Sequence, residues 1–213
     1  MTLTRTAMLL GITLALAACG REEAPVADAS PAPAPTAEPA PAEPAPVATQ
    51  LAASARATLA AVGESGVSGE LVFDIADGGV RVTGTLAGLQ PGATHALHVH
   101  EFGDCSAPDA TSAGGHFNPG QQPHGDRATG GPHHAGDIPN QTAGENGEAA
   151  VDQTLAGLEI ASGGANDIVG KGVIVHAQAD DYTTQPTGNA GGRIACGVIE
   201  LVNAPPADAG PAE

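Results

Sequence analysis

The chain has 213 residues and a formal net charge of −17 at pH 7, with 24 acidic residues against 7 basic ones. This acidity would repel a polyanion and no basic stripe is present, so a nucleic-acid partner is excluded. Aromatic residues make up 2 % of the chain and 30 residues are glycine, which predicts a core of small aliphatic side chains and many turns.

Residues 1–18 have the character of a signal peptide, because Arg5 precedes an apolar stretch that is too short to span a bilayer permanently. The stretch ends in Leu16-Ala-Ala-Cys19-Gly20, which resembles the lipobox of bacterial lipoproteins, in which the cysteine is lipidated and becomes the mature N-terminus. A plain secretory cleavage site is the alternative. The lipobox implies a periplasmic protein anchored to a membrane, and Gly20 in place of an aspartate favours the outer membrane.

The lipidated Cys19 would open an Ala/Pro-rich linker that runs to residue 50. This composition cannot bury a core and predicts a stiff spacer, with a Pro-rich recognition motif as the alternative. Residues 203–213 have a similar composition and predict a disordered tail. Residues 51–202 remain as one globular domain, of a size that can bury a core.

Strand-like alternation of apolar and polar residues marks the start of this domain. Residues 67–75 and 80–86 alternate with period two and flank Asp77-Gly78-Gly79, which is typical of a hairpin turn. No segment has a sustained helical period, so an all-β antiparallel sandwich or barrel is predicted. Further short strands are predicted at residues 55–62, 97–101, 148–155, 173–178 and 194–202.

Two connections are long, at residues 103–139 and 180–192, and long loops in a compact domain are usually functional. All eight histidines of the chain lie between His95 and His176, and the first of these loops contains four of them. Neutral imidazole is a ligand for zinc and copper, so the histidines indicate a metal site.

The histidines divide into two groups. His98 and His100 are two residues apart on a predicted strand, so their rings leave the same face, and His176 on a later strand would complete this cluster. The loop contributes three imidazoles and one carboxylate, a set typical of zinc. Seven ligands for two four-coordinate metals require one shared residue. The loop ligands are His116, His124, His134 and Asp137.

Besides Cys19, the cysteines are Cys105 and Cys196. An even pair in an oxidising compartment predicts a disulfide, and two free buried thiols are the alternative.

Several motifs in this order look like those of the copper/zinc superoxide dismutases, and the resemblance extends from about residue 55 to residue 202. It implies an eight-stranded antiparallel Greek-key barrel or sandwich with an immunoglobulin-like architecture, of which this family is itself a standard example. The motifs are His98-Val-His100-Glu-Phe-Gly-Asp-Cys105, Gly114-Gly-His116-Phe-Asn-Pro119, His124-Gly, His134-Ala-Gly-Asp137 and Gly188-Asn-Ala-Gly-Gly-Arg193-Ile-Ala-Cys196-Gly197.

The resemblance assigns a role to each matching position. It implies one copper and one zinc ion per subunit, with His116 as their bridge. Asp180 matches a carboxylate that links the two sites from outside the ligand sets, and His95 matches a buried structural histidine. The copper ligands are then His98, His100, His116 and His176, and the zinc ligands are His116, His124, His134 and Asp137. His133 competes with His134 for the zinc role, and the spacing to Asp137 favours His134.

The implied activity is the disproportionation of superoxide to dioxygen and hydrogen peroxide, which would protect the cell envelope. His116 and Arg193 are the catalytic residues, with Arg193 at the mouth of the copper channel, and Cys105 and Cys196 form the disulfide. A periplasmic copper/zinc store without turnover and a binding module of the same fold are the alternatives. The resemblance also allows a homodimer, which the sequence alone does not distinguish from a monomer.

The net charge would repel superoxide, which is itself an anion. Distant charges are screened over about 8 Å at physiological salt, so we expect the local field of Arg193 to outweigh them. Lys171 and Arg127 are candidates to add to that field.

Overall fold

The computed structural model describes residues 53–202, which form nine strands and two 3₁₀ turns. No helix within this range is long and apolar enough to cross a membrane. The predicted signal peptide, the lipidated Cys19, the linker and the tail lie outside the described residues and stay predictions. The strands are β1 Ser54–Ala61, β2 Ser68–Ala76, β3 Gly79–Ala87, β4 Thr94–His100, β5 Asp137–Thr142, β6 Ala149–Ala156, β7 Gly172–His176, β8 Arg193–Val198 and β9 Glu200–Leu201.

All strand pairs are antiparallel, and eight strands follow one another in the order β5-β4-β7-β8-β1-β2-β3-β6. The two end strands, β5 and β6, also contact each other, so the barrel is nearly closed. The pairings β3–β6 and β4–β7 join strands that are not consecutive, which is Greek-key topology. The predicted all-β, eight-stranded fold is confirmed, and the short β9 pairs with β1 as an addition.

The hairpin of β2 and β3 forms as its alternation predicts. Ala76 pairs with Gly79, so the turn consists of Asp77 and Gly78, and Gly78 has φ 83°, which favours glycine. Inward side chains of both strands join one core of aliphatic residues and two phenylalanines. The largest fully buried members are Phe73, Leu59, Leu71, Leu86, Leu97, Ile138, Leu155, Ile168 and Ile199.

Strand β5 was not predicted, because its first residues were assigned to the loop of residues 103–139. Its sequence, Asp-Ile-Pro-Asn-Gln-Thr, contains one large apolar residue and a proline. The strand forms because β4 offers it a partner, with Leu97 opposite Ile138 and His98 opposite Asp137. Pro139 is tolerated because β5 is at one end of the strand order.

The two long loops cover the outer faces of β4 and β7. Alternate residues of β4, such as Leu97 and Val99, lie in the core, yet the outward-facing His98 and His100 are also fully buried. All five residues of β7 are buried for the same reason. The disulfide between Cys105 and Cys196 joins the first loop to β8, with a Cα–Cα distance of 5.8 Å, which confirms the predicted pairing.

Candidate metal centre

Two groups of four buried side chains place their nitrogen and oxygen atoms within 4.8 Å of one another. The groups share His116. The first contains His98, His100, His116 and His176, and the second contains His116, His124, His134 and Asp137. The structure therefore brings together the same residues that the sequence divided into two sets.

Pairing of β4 with β7 positions the first group. Gly172 pairs with His100 and Ile174 with His98, so His176, two residues beyond Ile174, emerges on the same outer face. The loop then returns to this face, where His116 pairs with His100 as an isolated bridge.

Hydrogen bonds to main-chain carbonyls set the tautomers of two rings. His100 Nδ1 lies 3.0 Å from the carbonyl oxygen of Gly114, and His176 Nδ1 lies 3.3 Å from that of Gly191. A carbonyl oxygen only accepts, so each Nδ1 donates and each Nε2 keeps its lone pair. The two Nε2 atoms face each other at 3.4 Å, a separation that suits two ligands of one ion.

Two further nitrogens of this group are buried without a hydrogen-bond partner. His98 donates from Nε2 to Asp180 Oδ2 at 2.9 Å, which leaves Nδ1 unpaired, and Nε2 of His116 is unpaired as well. Unpaired buried polar atoms cost free energy, so a cluster of imidazole lone pairs is typical of a metal site. The four nitrogens fit copper, for which imidazole is a suitable ligand.

The second group surrounds the other nitrogen of His116. His116 Nδ1 is 2.8 Å from Asp137 Oδ1 and 3.3 Å from His134 Nδ1. His124 Nδ1 is 3.0 Å from Asp137 Oδ2 but lacks the alignment of a hydrogen bond. Three imidazole nitrogens and a carboxylate are a donor set that suits zinc.

Asp180 contacts both groups, as the resemblance implied. Its Oδ1 accepts from His124 Nε2 at 2.8 Å, and its Oδ2 accepts from His98 Nε2 at 2.9 Å. Both rings therefore turn Nδ1 toward their group. The backbone of Asp180 is held by Asn140, whose amide donates to the carbonyl oxygen at 2.9 Å and accepts from the N–H at 2.8 Å.

The electrostatics of the first group favour neutral rings. Burial, together with the neighbouring rings, lowers the pKa of His100 to about 2, of His176 to about 3 and of His116 to about 4. For His116 the contact with Asp137 opposes the shift without cancelling it. These rings are therefore neutral at physiological pH, which is the form that binds a metal.

The second group instead holds charge. Burial lowers the pKa of His124, but its contacts with Asp137 and Asp180 outweigh burial and raise that pKa to about 9. Burial raises the pKa of Asp137, yet its contacts with His116, His124 and His134 outweigh burial and hold the pKa far below its usual range. Without a metal, the protonated ring of His124 lies between the carboxylates of Asp137 and Asp180. A divalent cation bound in the second group would replace that proton.

Arg193 begins β8 beside the first group. Its Nη1 donates to the carbonyl oxygen of Ala110 at 2.5 Å, and its Nη2 donates to that of Gly114 at 2.6 Å. Gly114 also accepts from His100, so the guanidinium is two hydrogen bonds from a ring of the group. Burial lowers the pKa of Arg193, and Asp109 partly opposes this. Its remaining N–H groups can bind an anion.

The structure places His95 and His133 outside both groups. His95 Nδ1 donates to the carbonyl oxygen of His176 at 2.9 Å, a structural contact between β4 and β7. His133 is half-buried and its Nδ1 donates to the carbonyl oxygen of Gly131 at 2.7 Å. Of the two candidates for the zinc role, His134 is the one in the second group.

The two other cations proposed for steering are engaged elsewhere. Lys171 Nζ donates to the carbonyl oxygen of Glu101 at 3.1 Å and lies 5.0 Å from the ring centroid of Phe117. Arg127 donates to backbone carbonyls of the first loop. The guanidinium of Arg127 therefore lies against the first loop, and a steering role for Lys171 or Arg127 stays a prediction.

A cavity of about 450 Å³ opens beside His116 and His134. Both long loops line it. The remaining lining residues are Glu101, Gly115, Asn118, Gln121, Pro186 and Thr187.

Sequence reasoning missed two residues that position the groups, Asn140 and Gln185. The Gln185 side chain accepts from the His124 N–H and donates to the His124 carbonyl oxygen, both at 2.9 Å, and so joins the two loops. No sequence pattern distinguishes a single Asn or Gln that positions a loop from one whose side chain is exposed to solvent. Gly188 is part of a motif that the sequence analysis named, but only the structure explains why glycine is needed there. A Cβ at this position would lie 1.8 Å from Asp180 Oδ1.

Comparisons with known proteins show which family the sequence resembles. The sequence model of the family described as copper/zinc superoxide dismutase matches residues 67–199. The chain is similar to the protein named superoxide dismutase (Cu-Zn) of Deinococcus radiodurans, with 38 % identity over 151 residues that cover 64 % of this chain and 79 % of that protein.

Solved structures show the same likeness. A SOD-like protein from Bacillus subtilis is 37 % identical, with a TM-score of 0.61 over 67 % of this chain and 96 % of its own. The clock protein EA4 is also 37 % identical, with a TM-score of 0.63 over 71 % of this chain and 96 % of its own.

Proposed function

The chain belongs to the copper/zinc superoxide dismutase family, and from this premise we propose that its two ligand groups form one copper–zinc centre bridged by His116, which disproportionates superoxide in the cell envelope. The observation that carries the proposal is the place of His116 in both groups, with Nδ1 toward Asp137 and Nε2 unpaired. The enzyme is an oxidoreductase that uses copper and zinc, as its family does.

The first group would hold copper and the second zinc. When bound, copper supplies the one-electron change of oxidation state that the reaction needs, which zinc cannot undergo. The carboxylate in the second group and the all-imidazole donors of the first support this division. The net reaction consumes two superoxide ions and two protons and yields one dioxygen and one hydrogen peroxide.

The protein residues would bind the anion and handle the protons. Arg193, held by two carbonyl oxygens, offers N–H groups to superoxide beside the first group. His116 Nε2, which has no partner, can hold a proton and pass it to the product. Asp180 keeps His98 and His124 oriented through the cycle because it fixes their Nε2 atoms.

Metal analysis combined with a superoxide assay on the full chain tests this function. We expect stoichiometric copper and zinc and rapid dismutation in the wild type. His176→Gln should lose copper and activity, whereas His133→Gln, the matched control, should keep both because His133 lies outside the groups. Full occupancy by both metals without dismutation would support the storage alternative and contradict the proposal.

The envelope location rests on the sequence alone, and we propose it as a lipoprotein anchored through Cys19 to the outer membrane. Labelling with radioactive palmitate, followed by membrane fractionation, tests it. The wild type should carry label in the outer-membrane fraction, and Cys19→Ser should lose the label. Release of unlabelled wild-type protein into the soluble periplasm would instead indicate a plain secretory signal.

A further inference from the structure

Arg127 is a half-buried cation that forms no ion pair within residues 53–202. It begins the 3₁₀ turn Arg127–Thr129, and the side chain of Asp126 caps this turn by accepting from the N–H of Ala128 at 2.9 Å. A guanidinium stays charged in proteins, so burial without a carboxylate partner demands other compensation.

That compensation comes from main-chain carbonyls. Nε donates to the carbonyl oxygen of Asp137 at 2.7 Å, and Nη1 donates to that of Ala156 at 3.1 Å. Nη2 donates to the carbonyl oxygens of Ala135 and of His134, the latter at 3.4 Å. One side chain therefore ties the turn of residues 134–137 to the end of β6.

Two of these carbonyls belong to residues of the second ligand group, His134 and Asp137. The carboxylate of Asp137 is held from its other side, since Oδ2 accepts from the N–H of His134 at 2.8 Å and of Gly125 at 3.3 Å. The backbone of both residues is thus restrained independently of any ion. Restraint of this kind lowers the entropy that binding must remove.

We propose that Arg127 is a positioning residue for zinc, whose planar fork of donors preforms the ligand geometry of His134 and Asp137. The proposal rests on the proposed function only in taking the second group as the zinc site. Arg127 acts through the backbone of the ligands and touches neither metal nor substrate.

Zinc affinity of the holoprotein and its variants, measured by competition with a chelator, tests the role. Arg127→Met removes every donor, Arg127→Lys keeps the charge but not the planar fork, and Arg81→Met is the control because Arg81 pairs with Asp152 at the surface. Copper affinity at saturating zinc serves as the internal reference. The visible absorption of Co²⁺ in the second group reports its geometry.

We expect Arg127→Met to weaken zinc binding by about 10- to 100-fold and to change the Co²⁺ spectrum, with copper affinity unchanged. Arg127→Lys should lie between Arg127→Met and the wild type, and Arg81→Met should match the wild type. Wild-type zinc affinity and Co²⁺ spectrum in Arg127→Met would overturn the proposal. Equal weakening of zinc and copper binding would also overturn it, since that marks a general role in folding.

This test can be decided even if one variant does not fold, and its result is separate from the test of the proposed function. If Arg127→Met does not fold, Arg127→Lys alone decides, by the same affinity and spectrum. A wild type that binds both metals but does not dismutate superoxide would end the proposed function, whereas the role of Arg127 would still be decided by zinc affinity.

Discussion

Asp180 connects the two ligand groups from outside, in addition to the His116 that they share. It is neither exposed nor a member of a ligand group, and each of its oxygens accepts from one histidine. Burial raises its pKa, but the hydrogen bonds from His124 and His98 outweigh burial and hold the pKa well below its usual range. It therefore stays ionised and keeps both rings with Nδ1 available.

Asp180→Asn tests this coupling. An amide oxygen can accept from one ring only, and the amide N–H₂ would oppose the N–H of the other ring. We expect metal affinity to fall by about 10- to 100-fold, measured by chelator competition. Asp181→Asn is the matched control, because its exposed carboxylate accepts only from the following turn. Equal affinities in the two variants would contradict the coupling.

The shifted pKa values predict how the stability of the metal-free protein depends on pH. The pKa values of His100, His116 and His176 lie below the ordinary 6.5, so the unfolded chain binds more protons and stability falls as pH decreases below about 6.5. The pKa of His124 is raised to about 9, so its contribution is present below 6.5 and is lost as pH rises through 9.

Urea unfolding of the metal-free protein between pH 5 and 9 measures this dependence. We expect a maximum of the unfolding free energy near about pH 7, with a loss of about 1 kcal/mol or more by about pH 5.5. His124→Gln should remove the decline on the alkaline side. A flat profile would show that the histidines are not coupled to folding.

At the scale of elements, the centre depends on the two long loops as well as on β4 and β7. Contacts outside these two strands hold the loops in place. In the loop of residues 180–192, Gly188 has φ 64°, and a Cβ at this position would contact both partners of the hydrogen bond between Asp180 and His124. The disulfide and Arg193 hold the other loop on β8. The outer faces of β4 and β7 are buried only when both loops are in place.

Gly188→Ala should therefore damage the centre more than the fold. The new Cβ would lie 1.8 Å from Asp180 Oδ1 and 2.6 Å from His124 Nε2, so one partner must move. We expect a loss of zinc affinity of about tenfold or more, measured by chelator competition. Gly192→Ala is the control in the same loop, because nothing lies within 4 Å of its added Cβ. Wild-type zinc affinity in Gly188→Ala would show that the loop can adjust.

At the scale of the whole molecule, the charge of −17 opposes the approach of an anion. Screening weakens distant charges over about 8 Å, whereas Arg193 acts at contact range beside the first group. Of the three cations that the sequence offered, Arg193 is the one that shares an acceptor, the carbonyl oxygen of Gly114, with a ring of the first group.

Arg193→Glu tests the local field. We expect the wild-type rate to fall with rising ionic strength, because attraction is screened, and the variant to be at least about tenfold slower with a rate that rises with salt. Arg81→Glu changes the charge equally at an exposed ion pair far along the sequence and should keep the wild-type rate and salt slope. A wild-type-like rate and slope in Arg193→Glu would contradict the hypothesis.

Local pattern was enough to predict most of the barrel and the seven candidate ligands, whereas the family resemblance implied that His116 belongs to both groups. Alternation identifies strands such as β2 and β3, because one face of each is buried. The spacing of His98 and His100 places both rings on one face of β4. All eight histidines lie between His95 and His176, and this clustering makes their spacing informative.

Other features depended on contacts that no local pattern encodes. Strand β5 exists because β4 pairs with it, and β8 and β9 divide a segment that reads as one strand. Arg127, Asn140 and Gln185 act on backbone groups that are distant in the sequence or hidden inside a loop.

The amino-acid sequence by itself therefore determined which side chains can bind metal, because ligand chemistry is a property of the residue type and of its spacing. Only the tertiary structure decided which nitrogen of each ring faces a metal, since that depends on the carbonyl or carboxylate that accepts from the other nitrogen. His98 and His124 show this, because Asp180 sets both. Arg127 became a candidate for holding zinc ligands only after folding brought its donors to the carbonyls of His134 and Asp137.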